Sequence, residues 1–262
     1  MKEYNEIDQQ IHQLSQVIAK FNRTFVTQKV DDSHTNLSFD YIGRKVWGRW
    51  ATIKSELLIP GLDLQTQQIM LVNKHYQTIA NFATIGKTQP IFEKEMAGHL
   101  SKSLQLDAQE LLKPMHYEIP NYGFKKDGFQ KWNASKLDLW IHYRHLANET
   151  CALLATHLNK TAEIRIWPHH FDTGIYMELN DKIAVGFGWA MADDMINEGY
   201  FYFSAYGLND HKINYDSVSK LTIGRWIISS EWKGAVLGLA EANHQNIFVF
   251  LGEITQWVVS QT

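Results

Sequence analysis

Residues 171–206 read FDTGIYMELNDKIAVGFGWAMADDMINEGYFYFSAY. Three strand-like runs, Phe171–Leu179, Ile183–Trp189 and Tyr200–Tyr206, lie in this stretch with no helical period between them. In the middle run Ile183, Val185, Phe187 and Trp189 form a bulky face, while Ala184, Gly186, Gly188 and Ala190 form a bare one. A bare strand face lets a helix approach closely or leaves room for a ligand, and close helix packing is the expectation. Tyr200, Tyr202, Ser204 and Tyr206 share a face of the third run, as the hydroxyl lining of a pocket or as tyrosines of a half-exposed sheet. Strands that follow one another without regular βαβ alternation point to antiparallel sheet and an α+β layer architecture.

Helices bracket these strands. Upstream, a short strand is expected over Ala162–Trp167, preceded by a helix that starts at Ser135 with Asp138 in capping-box position. Leu139, Tyr143, Leu146, Leu153 and Leu154 give that helix its apolar face. Downstream come a loop over Leu208–Lys220, a strand near Trp226–Ser229 and a helix capped by Asn243, with Ile247, Phe250, Leu251, Ile254 and Val258 as its stripe.

The front of the chain has the same order. Ile7, Ile11, Leu14, Ile18 and Phe21 mark a helix. Leu37, Phe39 and Tyr41 alternate as a strand, Arg44–Lys54 reads as its return, and further strands fall at Ile69–Val72 and Thr78–Thr84. A helix opens at Pro90, and Leu111–Ile119 reads as an edge strand limited by Pro114. The expectation is therefore two similar halves, 1–119 and 135–262, joined by a linker over 120–134. Each half is helix–antiparallel strands–helix with the helices packed on the sheet. The pairs Phe21–Thr24 and Leu158–Thr161, each followed by a histidine (His34 and His169), suggest an internal duplication.

Composition narrows the class. Across 262 residues, 45% hydrophobic and 20% charged content, with 9 Trp, 11 Tyr and 13 Phe against 5 Pro and 1 Cys, excludes a disordered chain, a collagen and a disulfide scaffold. Cys151 alone forms no internal disulfide, which suggests a reducing compartment. A net charge of -3 gives no footprint for nucleic acid or an anionic membrane. The start is polar and acidic without a signal-peptide core, and no run of about 18 apolar residues occurs. A cytoplasmic protein is expected.

Trp167-Pro168-His169-His170-Phe171-Asp172 is the densest cluster of chemistry-bearing residues. Pro168 marks a bulge or strand break, beyond which alternation places His169 with Phe171 and Ile175, and His170 with Asp172 and Tyr176. A carboxylate beside an imidazole fixes its tautomer and raises its basicity. In the enzymatic reading His170 is the acid/base group, Asp172 orients it, and His34 approaches from the first half. His34, Trp167, His169, Tyr202 and Trp232 would then line a ligand site. A metal variant uses His169 or His170 as a ligand. In the structural reading His169 is a hydrogen-bonded core residue and His170–Asp172 a surface pair. His142, His145 and Glu149 share one side of a helix, but without a zinc signature they read as a helix edge. Gly186-Phe187-Gly188 lies inside a strand and is no phosphate loop. No Walker loop, nucleophile elbow or CxxC pair occurs, which leaves the cofactor open and assigns no metal.

The Trp167–Asp172 run, the Tyr200–Tyr206 strand and the Trp232–Leu237 stretch together resemble the bacterial domain-of-unknown-function family 5996. The leading helix Ile11–Phe21, the strand after His34 and the Pro90 helix extend the resemblance over most of the chain. It implies no established activity and carries over no catalytic residues. The functional expectation is small-ligand binding, as an enzyme or otherwise, at a pocket bordered by Trp167–Asp172. Its rival is a non-catalytic interaction module with an aromatic partner surface.

Overall fold

In the computed structural model, which describes residues 2–261, the Ile7–Phe21 stripe belongs to α1 (Lys2–Phe25) and is buried throughout. The remaining helices are α2 (Gln89–Leu104), the single turn α3 (Phe124–Asp127), α4 (Ala134–His157) and α5 (His244–Val259). Twelve strands form two antiparallel sheets of six, so the protein is mixed α+β. Contacts divide the chain into two compact units, residues 1–142 with 166–171 and residues 143–165 with 172–262. The division falls within α4, and residues 120–134 lie inside the first unit. Among the described residues, no helix is long and apolar enough to cross a membrane.

The first unit holds β1 (Ser38–Asp40), β2 (Lys45–Trp47), β3 (Ala51–Ile53), β4 (Glu56–Asp63), β5 (Gln68–Asn73) and β6 (Thr78–Ala83). They are ordered β1-β2-β4-β5-β6, with β3 also paired to β4. Three sequence expectations are corrected here. The return strand over 44–54 is split into β2 and β3, because the buried Asn22 side chain accepts the Arg49 N–H (2.9 Å) while Gly48 donates to the Pro60 carbonyl (2.9 Å). That split makes room for β4, a strand absent from the sequence expectations. The side of Pro60 that lacks an N–H faces the gap between β2 and β3, so no ladder bond is lost. The third is that Leu111–Ile119 forms no strand: Arg23 Nη1 and Nη2 take the carbonyls of Glu110, Lys113 and Pro114 at 2.6–3.1 Å.

Within residues 120–134, Gly128, Phe129 and Trp132 are buried. Buried Phe129 exchanges backbone hydrogen bonds with Gly86 and Lys87, and its ring stacks on Phe124 at 5.2 Å. Asn133, rather than Ser135, opens α4, its Oδ1 accepting the N–H groups of Ser135 and Lys136.

In the second unit β8 (Asp172–Glu178), β9 (Ile183–Ala190), β10 (Tyr200–Gly207), β11 (Arg225–Ile228) and β12 (Lys233–Gly238) run in the order β11-β12-β10-β9-β8, and the short β7 (Arg165–Trp167) falls at the division between the units. β12 lacks a sequence signature because Gly234 and Gly238 leave only three consecutive apolar side chains. The bulky face of β9 is fully buried, with Tyr143 of α4 stacked on Trp189 at 4.9 Å and 7°. Asn243 caps α5 by accepting the Asn246 N–H (3.0 Å), and the α5 stripe is buried. The bare face of β9 differs from expectation at Gly186, which a tyrosine of β10 covers rather than a helix. A Cβ built on Gly186 would lie 3.2–3.7 Å from the Tyr206 ring and hydroxyl.

Candidate functional site

Trp167–Asp172 turns a tight corner instead of continuing a strand. The Trp167 carbonyl accepts the Phe171 N–H at 2.7 Å, and β8 begins only at Asp172. Closing the corner forces Phe171 into the left-handed region, φ 56°. An L-residue with a Cβ loses roughly 1–2 kcal/mol there, so something must hold it. Phe171 is fully buried, its ring stacked on His12 at 4.9 Å and 12° and facing Trp140 at 6.3 Å.

The carbonyl of Pro168 is held from α1. His12 Nε2 lies 2.9 Å from it and Gln16 Nε2 2.6 Å. A carbonyl only accepts, so His12 carries a proton on Nε2; in the neutral ring Nδ1 then accepts from the Tyr122 hydroxyl at 2.9 Å. Gln16 Oε1 accepts from the Tyr117 hydroxyl, also at 2.9 Å. Burial pushes both phenols well above their ordinary range, Asp8 adding to the effect at Tyr122 and Asp32 at Tyr117, so both stay protonated as donors.

This frame leaves the two histidines facing outward. His169 is half-buried and His170 exposed, their rings 4.2 Å apart and inclined at 53°. Burial lowers the His169 pKa to about 4, helped by neighbouring His170 and His116 and opposed by Asp32. His169 is thus a neutral imidazole near pH 7, able to donate from one nitrogen and accept at the other. Its other neighbour is the Tyr117 ring at 5.7 Å.

Asp32, in the left-handed region at φ 59°, is the acidic centre of the patch. Its carboxylate lies 3.3 Å from His116 Nε2 and 3.7 Å from His34 Nδ1. His34 is buried and its Nδ1 accepts the Lys29 N–H at 3.3 Å, so its approach to Asp32 is not a hydrogen bond. His34, His116 and His169 therefore lie near one carboxylate, with His170 against the His169 ring. Among the described residues, no three His, Cys, Asp or Glu side chains are arranged to hold a metal ion.

Asp172, Tyr202, Trp232, His145 and Glu149, also singled out from the sequence, lie in the second unit. Asp172 Oδ2 accepts from the Tyr202 hydroxyl at 2.5 Å, and burial with Asp172 drives that phenol far up. Trp232 packs with Tyr202 against Ile196, Tyr200 and Val236. Buried Arg144 of α4 donates from Nη1 to the Thr173 hydroxyl at 2.9 Å. His145 and Glu149 pair at 3.3 Å, and Glu149 also meets His244 at 3.4 Å, a solvent-facing helix edge.

The seven residues thus fall into two sets. His34, Trp167, His169 and His170 belong to the first unit; Asp172, Tyr202 and Trp232 belong to the second. Sequence reading missed Asp32, His116 and Tyr117, and behind them His12, Gln16 and Tyr122. One signal was available: Asp8, His12 and Gln16 recur every fourth residue along α1, a polar line beside the apolar stripe. Compared with protein-family models, curated proteins and solved structures, the chain finds no match.

Proposed function

We propose that the protein binds a small polar ligand at the outer surface of the Trp167–Phe171 corner, contacted by His169, His170 and Asp32. The observation that carries this reading is the anchoring of the corner. A left-handed Phe171, clamped by rings, and a Pro168 carbonyl held by two α1 side chains form a rigid mount for a pair of outward histidines. Backbone strain held by buried contacts is characteristic of sites where geometry matters more than stability. A neutral His169 beside the Asp32 carboxylate suits a ligand that offers both hydrogen-bond donors and acceptors. Any proton transfer there begins with His169 as acceptor, since it carries no ionisable proton near pH 7.

The test is a fragment screen of small polar compounds followed by the histidine ring signals in NMR. Binders should shift His169 and His170, and His169→Ala should abolish those shifts while leaving the rest of the spectrum in place. Binders that leave both histidines unmoved, or that bind His169→Ala equally well, would overturn the reading.

A further inference from the structure

We infer that the open face of the second sheet is a binding site for a small organic ammonium ion, seated on the rings of Tyr176 and Tyr206 and facing the carboxylate of Glu178. The glycines of β9 are the starting point. Tyr206 pairs with Ala184 and Tyr176 with Gly186 in the ladder, and the Tyr206 ring lies along the bare backbone at Gly186. The hydroxyl end of that ring therefore rests on the sheet while the residue stays part-exposed, and a side chain at Gly186 would push against it. Tyr202 makes the same use of Gly174, where a built Cβ would come within 2.8 Å of its hydroxyl.

Tyr176 and Tyr206 stay 47% and 43% exposed, with ring centres 6.1 Å apart and planes inclined at 39°. The pair forms a shallow aromatic V rather than a packed core contact. Aromatic faces carry negative potential and attract cations within about 6 Å of the ring centre.

The charges acting on this V share one sign. Glu178 follows on the same face of β8 and bears on Tyr176; Asp172 bears on Tyr206 from the inner side. Burial raises both phenols and these carboxylates add to it, so the rings stay protonated and neutral. An anion would meet two carboxylates here. A neutral sugar would stack on the rings but gain nothing from Glu178. A cation with an apolar shell gains from both, and it is the occupant whose charge complements the face.

Tetramethylammonium chloride is the probe, titrated into the full chain while the tyrosine ring signals are followed by NMR, with sodium chloride and the neutral isostere tert-butanol as parallel arms. Saturable shifts of Tyr176 and Tyr206 at millimolar concentration, absent with sodium chloride and tert-butanol, are expected. Tyr176→Leu and Glu178→Gln should each weaken binding about three- to fivefold. Both positions are exposed, so both variants keep the fold, and an unchanged melting temperature verifies it. Tyr206→Leu is a weaker probe because its ring covers Gly186. No saturable shift, equal shifts with tert-butanol, or undiminished binding by Tyr176→Leu and Glu178→Gln would overturn the inference.

Discussion

Replacing Phe171 by alanine and by glycine should reverse the usual ranking of those two residues. At an ordinary position glycine is the worse choice by roughly 0.5–1 kcal/mol, because the unfolded chain gains freedom. Phe171 sits at φ 56°, where a Cβ collides with the following carbonyl. Alanine keeps that collision and glycine removes it. Both lose the ring, which is fully buried between His12 and Trp140, a loss of about 3–5 kcal/mol. Against a typical total stability of about 5–15 kcal/mol both variants are severely weakened. Phe171→Gly should nonetheless be as stable as Phe171→Ala, or more stable by up to about 1 kcal/mol. The native phenylalanine survives because ring burial outweighs the strain severalfold. Urea unfolding measures the difference: at equal slope it appears as a higher midpoint for the glycine variant. A glycine variant less stable than the alanine variant by about 0.5 kcal/mol would refute the left-handed corner.

Two further outcomes follow from named atoms. His169 should titrate near pH 4 by ring-proton NMR, against 6.5 for a free histidine. Between those values the unfolded chain binds more protons, so stability should fall as pH drops from about 6.5 toward 4, and His169→Asn should flatten that slope; a native titration near 6.5 would reject the buried placement. The glycines give a contrast in melting temperature. Gly252→Ala in α5, where a new methyl meets nothing within 4 Å, should stabilise by about 1 kcal/mol. Gly188→Ala aims its methyl at the Thr173 carbonyl and, at 2.7 Å, the Gly174 Cα; these are backbone atoms that cannot step aside, so it should melt far lower. Equal melting of Gly188→Ala and the parent would contradict the β8–β9 register.

Much of the fold was legible where one period dominated. The stripes of α1 and α5 needed only their three- and four-residue spacing, and the runs that became β9 and β10 only their length and their β-branched and aromatic content, since β9 is buried on both faces. Legibility failed where a long-range contact overrode local pattern. Pro60 argues against a central strand until Asn22 is seen to split the neighbouring strand. Residues 111–119 read as extended until Arg23 takes their carbonyls out of any ladder. The same limit applies to the candidate site. The Trp167–Asp172 run announces itself by composition, but nothing near it in sequence names Asp32, His116 or Tyr117, which reach it only through the fold. Reading that run as strand also placed His169 on an apolar face; the corner at Phe171 turns it outward instead.

The polar line of α1 explains why the corner is where it is. Asp8 accepts from the Trp140 indole, His12 and Gln16 grip the Pro168 carbonyl, Lys20 meets Glu93 of α2 at 2.8 Å, and Asn22 takes the carbonyls of Thr35 and Asn36. Five buried polar side chains on one helix thus reach the start of α4, the corner, α2 and the segment behind His34. Each such bond adds only about 1 kcal/mol to stability, since water would satisfy the same groups in the unfolded chain. Stranding one of them without its partner costs about 1–3 kcal/mol, and more for Lys20 or Glu93. The line therefore penalises wrong arrangements more than it rewards the right one. A shifted corner would leave His12 and Gln16 unsatisfied together, while a shifted α1 would break all five contacts at once. The mount of His169 and His170 is in this way as fixed as the central helix of its unit, although the residues themselves lie in a turn at the surface.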